Sequence, residues 1–209
     1  MTQSCRRRRR RRRRHHTHKL QGNAAPDFNA STRPGEQLYS NHLVAINATD
    51  GSIVWATPFV YPNTSLNISV AIPDVHDYDV AWGSLIRQVD FGQGPQKIVI
   101  GHDKFTNLVA MNASTGAIIW HRVVGLQLNT EQVPSPEGTG PTYPNTQSGV
   151  ESYLAADQTT LYAAVSNSAS RFFSNATSAG RTEPAFDAPG TERVQKLFLY
   201  HLLLAVLLF

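Results

Sequence analysis

Two carboxylates separated by a single residue stand in the stretch Pro73-Asp74-Val75-His76-Asp77-Tyr78-Asp79-Val80. On an extended chain, residues i and i+2 face the same side, so Asp77 and Asp79 can reach one ion together. Hard cations such as Ca2+ take oxygen donors of this kind. A carboxylate whose pKa is tuned by its neighbours also suits proton abstraction. Taken alone, the same acidic run reads equally as a solvated loop with Asp at turn positions. A cation follows at Lys104, in His102-Asp103-Lys104. It can stabilise negative charge that develops in a reaction, or be an exposed lysine on a turn. His15, His16 and His18 cluster near the start, but no carboxylate or Cys nearby completes a metal site, so none is assigned.

The elements that must position Asp77 and Lys104 show themselves as a repeat. Residues 43–55 read LVAINATDGSIVW and residues 108–120 read LVAMNASTGAIIW. A phrase that returns after about 65 residues marks one structural unit built more than once. Each copy reads as a hairpin: a short apolar run, a turn containing Gly51 or Gly116, and a second β-branched run. The glycine supplies the positive φ that closes a hairpin with a bulge. Trp55 and Trp120 end their strands at equivalent places, where a large ring can wedge between neighbouring sheets. Further strands are expected at 85–90, 97–101, 106–112, 117–124, 153–156 and 160–165. No amphipathic helical pattern persists between residues 22 and 170, so the region is all-β. Gly and aromatic periodicity of this kind points to the blades of a β-propeller.

The two ends differ from the middle. The formal charge of +4 comes from nine consecutive arginines, Arg6 to Arg14; without them the remainder carries −5. A like-charge block of that length repels itself and is expected to be disordered. The body carries no basic pattern, so no specific nucleic-acid partner is expected. Residues 1–19 are therefore read as a disordered Arg/His-rich tail, 20–170 as blades, and 171–196 as a linker. Residues 197–209 (LFLYHLLLAVLLF) form an apolar segment, shorter than the ~18–20 residues a bilayer span needs. Membrane association through Leu197–Phe209 is one expectation. Cys5 is the one cysteine, so no intrachain disulfide forms. N-x-S/T sequons at Asn29, Asn47, Asn63, Asn67, Asn112 and Asn175 favour a periplasmic, extracellular or cell-surface location.

The repeat and the acidic stretch together resemble the pyrroloquinoline quinone (PQQ) dehydrogenases. In that family an HDxWDYD-like segment follows a hairpin ending in Trp, then a Lys or Arg, then a further hairpin. The order Trp55, Asp77, Lys104, Trp120 matches. Gly22-Asn23-Ala24-Ala25-Pro26 resembles the family's GNPAP-like segment, and Arg33-Pro34-Gly35-Glu36 its RPGDN-like segment. Ser148-Gly149-Val150-Glu151 and Thr160-Leu161-Tyr162-Ala163 resemble its GGVE and TLYA segments.

The resemblance implies an eight-bladed quinoprotein propeller of four-stranded antiparallel blades, of which this chain would supply about three. It implies PQQ and Ca2+ or a lanthanide as cofactors, with Asp77 as the catalytic base. Asn23, Asp77 and Asp79 become metal ligands, and Lys104 and Asn167 become cofactor-binding residues. Expected partners are a small alcohol or sugar and an electron acceptor. The expected function is a fragment of an alcohol- or sugar-type dehydrogenase that passes hydride to the quinone. Two alternatives stand beside it: a non-catalytic propeller scaffold, and a truncated inactive product. The departures are Pro73 where the family has His, and His76 where it has Trp. The early-blade carboxylate ligand, the adjacent-cysteine disulfide and the Trp floor under the quinone are not found in this sequence.

Overall fold

The structure is a computed structural model that describes residues 16–22, 39–59, 77–80, 82–132, 135–175, 178–184 and 197–200. Among these residues there are twelve strands and no helix. The centre is a four-stranded antiparallel sheet, β4 (Leu85–Asp90), β5 (Pro95–His102), β6 (Asn107–Asn112) and β7 (Ile118–Val123), each paired with the next in sequence. On one side lies a three-stranded sheet of β1 (His16–Gln21), β2 (His42–Asn47) and β3 (Ile53–Pro58). On the other lie β8 (Ala155–Ala156) and β9 (Leu161–Ala164), with β12 (Leu197–Tyr200) against β9. The strands β10 (Ser170–Asn175) and β11 (Ser178–Pro184) form a separate pair.

The alternation of β5 and β6 explains the stacking. Val99, Val109 and Met111 face the first sheet and pack with Leu43, Phe59 and Val80. Ile98, Ile100, Leu108 and Ala110 face the other way and pack with Val150, Leu154, Leu161, Ala163 and Val165. Both faces of the inner strands β5 and β6 are thus apolar and covered, as a sheet in a stack requires. Each fully buried aliphatic side chain contributes roughly 1.5–3 kcal/mol. The all-β, blade-like architecture expected from the repeat is present, and among the described residues the sheets do not close into a ring. A full four-stranded blade is seen in β4–β7.

The two repeat hairpins are the same object. In each, Gly at φ = +74° donates its N–H to an Asn carbonyl, Gly51 to Asn47 (2.8 Å) and Gly116 to Asn112 (2.9 Å). In each, the Asn side-chain oxygen accepts from the backbone two residues on, at Thr49 (3.0 Å) or Ser114 (2.9 Å). The register slips at matching places, Ala45/Ile46 and Ala110/Met111. Trp55 then does what the sequence suggests. Its indole N–H donates to the Ala113 carbonyl at 3.2 Å, and its ring lies against Gly116, where a Cβ would stand 2.7 Å away. Thr57 adds a bond to the Gly116 carbonyl at 2.8 Å. The first hairpin is latched to the turn of the second.

Three boundaries fall differently from the sequence reading. β1 begins at His16 and pairs along its length with β2, so strand structure reaches into the stretch read as a tail. A free edge on β2 recruits it, because backbone pairing asks little of side-chain type. β10 and β11 occupy part of the stretch read as a linker. Leu197–Tyr200 pair with β9 as a strand, from Leu197 opposite Ala164 to Tyr200 opposite Leu161. Among the described residues no helix is long and apolar enough to cross a membrane.

Candidate functional site

Asp77 and Asp79 lie in the segment 77–80, outside any strand and ahead of β4. Their neighbours alternate inward: Tyr78 is 4 % exposed and Val80 is 2 %. Tyr78 donates its hydroxyl to the Pro144 carbonyl at 3.0 Å and stacks on Phe105 with ring centroids 4.6 Å apart. With Tyr78 and Val80 fixed in the core, Asp77 and Asp79 stay partly exposed and both reach Lys104. Asp77 itself sits at φ = +58°, a left-handed conformation that few non-glycine residues adopt. Strain of this kind is retained where the surroundings over-determine it and clusters at functional sites.

Lys104 comes from the turn between β5 and β6. Its Nζ reaches Asp77 Oδ2 at 3.1 Å and Asp79 Oδ2 at 2.8 Å. The expected turn position is correct, but the side chain points into the cleft and is only 14 % exposed. The turn is braced on three sides. The Lys104 N–H donates to the Asp79 carbonyl (3.0 Å), and the Val150 N–H donates to the Asp103 carbonyl (3.3 Å). His102, fully buried, places Nδ1 2.9 Å from the Val150 carbonyl. Asp103 is also fully buried and accepts both the backbone and the side-chain N–H of Asn107, at 2.8 and 2.7 Å. Gly149, at φ = +82°, lies so close that a Cβ would stand 1.9 Å from the Lys104 carbonyl oxygen.

These braces enclose an open cleft of about 620 Å³. Asp77, Asp79, Trp82, Lys104, Thr146, Gln147 and Glu151 line it. Burial pushes the Asp77 carboxyl up to about 7; Lys104 opposes this and Asp79 reinforces it. One ammonium shared between two carboxylates cannot fully compensate both. Burial works against the charge on Lys104, but the two carboxylates outweigh it and its pKa rises. Burial also raises Glu151, with Lys104 pulling it down and Asp79 pushing it up. Burial lowers His102 to about 4, so the imidazole is neutral.

The sequence-derived residues are therefore only partly assembled. Asp77, Asp79 and Lys104 meet at one point. Asn167 is elsewhere: its side-chain oxygen accepts the Leu126 N–H at 2.9 Å, and it does not line the cleft. Asn23 lies outside the described residues, as do Pro73 and His76. Its neighbour Gly22 approaches Asp79, with a Cβ position 2.5 Å from Asp79 Oδ1. Glu151, Thr146, Gln147 and Trp82 had no chemical role in the sequence reading. Glu151 was within reach, since it closes the Ser148–Glu151 segment already singled out. Nothing in the sequence marks the left-handed Trp82.

The donor chemistry suits a hard cation, because Asp77, Asp79 and Glu151 offer carboxylate oxygens. Among the described residues, however, no three His, Cys, Asp or Glu side chains converge on one metal position. Asp77 and Asp79 supply two donors, and both are held by Lys104.

A stack of antiparallel sheets latched by Trp55, with an acid–lysine cleft between hairpins, defines a propeller-blade protein. The chain belongs to the PQQ family described as the glucose/ethanol/alcohol dehydrogenase β-propeller domain, whose profile matches residues 20–198. Its fold is similar to that of the quinohemoprotein alcohol dehydrogenase from Comamonas testosteroni, with 14% identity and a TM-score of 0.57. That likeness covers 78% of this chain and 25% of the other. It is also similar to the quinohemoprotein alcohol dehydrogenase ADHIIG from Pseudomonas putida HK5, with 13% identity and a TM-score of 0.53. There the coverage is 71% of this chain and 25% of the other. The chain thus spans about a quarter of the length of these enzymes. Comparison with curated proteins gives no match.

Proposed function

We propose that this chain is a part of a PQQ-dependent dehydrogenase that oxidises a hydroxyl group of an alcohol or sugar, acting outside the cytoplasm. The observation that carries the reading is the Lys104 bridge to Asp77 and Asp79 in an open cleft. Asp77 is the base: with a pKa near 7 it accepts the proton of the substrate hydroxyl at neutral pH. Lys104 holds Asp77 in place and offers positive charge where negative charge develops on oxidation. PQQ, when bound, supplies the acceptor for the hydride that leaves the carbinol carbon, and a hard cation adds Lewis acidity. Asp77 and Asp79 would hold that cation in place of the Lys104 ammonium, with Asn23 as a further oxygen donor, and Lys104 would bind PQQ. The location is supported by the sequons, of which Asn47 and Asn112 sit in the hairpin turns.

The test is to load the longer protein that contains this chain with PQQ and Ca2+ or a lanthanide, then measure dye reduction with alcohols and sugars. Turnover that depends on cofactor and disappears in Asp77→Ala supports the reading; no cofactor-dependent reduction by a folded protein sinks it. A second reading is a non-catalytic scaffold. It is favoured by Lys104 serving both carboxylates, because a closed ion-pair network also stabilises a fold without chemistry. In that case Asp77→Ala leaves partner binding unchanged.

A further inference from the structure

The three sheets of the stack are unequal. The central one, β4–β7, is a full blade of four strands. Among the described residues, the other two are each half a blade with one extra edge strand. The hairpin β2–β3 repeats β6–β7 in sequence, in its glycine turn and in its register slip. Beside β2 lies β1, where the central sheet has β5. The hairpin β8–β9 repeats β4–β5, with an Asp closing each turn. Asp90 accepts the N–H of Gly92 (2.8 Å) and Gly94 (3.0 Å); Asp157 accepts those of Thr159 (2.8 Å) and Thr160 (2.7 Å). Beside β9 lies β12, where the central sheet has β6. One outer sheet thus has the first half of a blade and the other has the second half.

The latch follows the same rule. At the first junction Trp55 sits on the Gly116 turn. At the second, its counterpart Trp120 borders a crevice of about 570 Å³, together with Phe91, Ile98 and Leu161. The turn that would fit there exists at the far side of the stack and is unfilled. A Cβ on Gly51 would meet nothing within 4 Å among the described residues, whereas one on Gly116 would meet the Trp55 ring at 2.7 Å. The residues that follow β12, HLLLAVLLF, offer no glycine for a turn of this kind. Charge fits as well. Thr57, which bonds the Gly116 carbonyl, has Arg122 as its counterpart in the repeat, and Thr115 has Asp50. Both charged residues are exposed.

We propose that copies of this chain join head to tail through a composite blade, β8–β9 of one copy pairing with β2–β3 of the next. There β9 lies beside β2, Trp120 seats on the Gly51 turn of the next copy, and Arg122 meets its Asp50. The edge strands β12 and β1 give way, as exchanged elements do between identical chains. The two contacting surfaces differ, so each added copy presents a fresh one and assembly continues past two unless a ring closes. Nothing in this rests on the dehydrogenase reading.

The test is sedimentation velocity on the full 209-residue chain over a concentration series, with hydrogen exchange on the same samples. Species larger than a dimer are expected as concentration rises. Amides of 16–21 and 197–200 lose protection on association, while those of 42–47 and 161–164 keep it. Gly51→Asn tolerates the left-handed backbone and meets open space within its own chain, so its melting temperature holds while association weakens by about tenfold or more. Asp50→Arg and Arg122→Asp each weaken association by about three- to fivefold, and the double variant recovers it. A monomer at every concentration overturns the proposal, as does unchanged association in Gly51→Asn. Retained protection of 16–21 and 197–200 in the associated state also overturns it, because the copies would then meet by simple edge pairing. Should Gly51→Asn melt lower, the charge exchange decides: no recovery in the double variant overturns the composite blade.

Discussion

Asp77 and His102 pull the stability of the fold in opposite directions as pH changes. Asp77 has its carboxyl raised from 3.8 to about 7, so between those values the folded chain holds a proton that the unfolded chain has released. Its contribution is greatest at the acid end, falls as pH rises through the window, and is level above 7. His102 is lowered from 6.5 to about 4, and its contribution is lost as pH falls through that interval. Asp77→Asn imitates the protonated acid at every pH. Its melting temperature relative to the parent is therefore expected to climb between pH 4 and pH 8, by the equivalent of roughly 1–3 kcal/mol. Thermal melts across that range check it; a flat difference would mean that Asp77 is ionised throughout. Lys104→Met leaves both carboxylates facing each other without a counter-charge. It is expected to destabilise the chain by about 1–3 kcal/mol at pH 8 and less at pH 4, measured by denaturant titration. Lys104→Arg should recover most of the loss, because a guanidinium can serve two carboxylates.

At the scale of elements, the site depends on three segments held by backbone: 77–79, 102–107 and 149–151. Gly149 is the tightest junction, since the atom it faces is a carbonyl oxygen and cannot move aside. Gly149→Ala is expected to cost about 3 kcal/mol or more and to displace Lys104 from Asp77, seen as lost protection of the Lys104 amide in hydrogen exchange. The latch between hairpins is milder. Trp55→Phe loses the bond to Ala113 and should cost about 1 kcal/mol in a denaturant melt. Much of this level was legible in the sequence. Repeated letters gave both hairpins, their glycine turns and the Trp contact, because short-range turn chemistry is written locally. Asp77, Asp79 and Lys104 were legible as an ordered series, since each lies just outside a readable strand. Long-range packing was not legible. Nothing local announces that Glu151 closes the cleft, that Asn167 spends its oxygen on Leu126, or that Trp82 turns left-handed. β1 and β12 were missed for a related reason: edge pairing depends on which neighbour is free, and not on the pattern of the joining strand.

For the whole molecule, the outer strands of the two repeats carry the same exposed apolar pair. Ile53 and Val54 are 47 % and 39 % exposed, and Ile118 and Ile119 are 45 % and 36 %. Among the described residues, β3 and β7 are edge strands of their sheets. Edges of this kind invite pairing with another chain. The 209-residue chain is expected to associate as its concentration rises, and Ile53→Lys with Ile118→Lys to shift it towards monomer in sedimentation velocity. Unchanged sedimentation would mean that these edges are already covered.

The Trp55 latch also sets a direction in time. Trp55 takes its hydrogen-bond partner at Ala113, 58 residues further along the chain. During synthesis the amino-terminal hairpin leaves the ribosome well before the turn that receives its indole. The first unit is thus finished by the second, and a pause in translation between the two would hold an unlatched tryptophan in reach of chaperones.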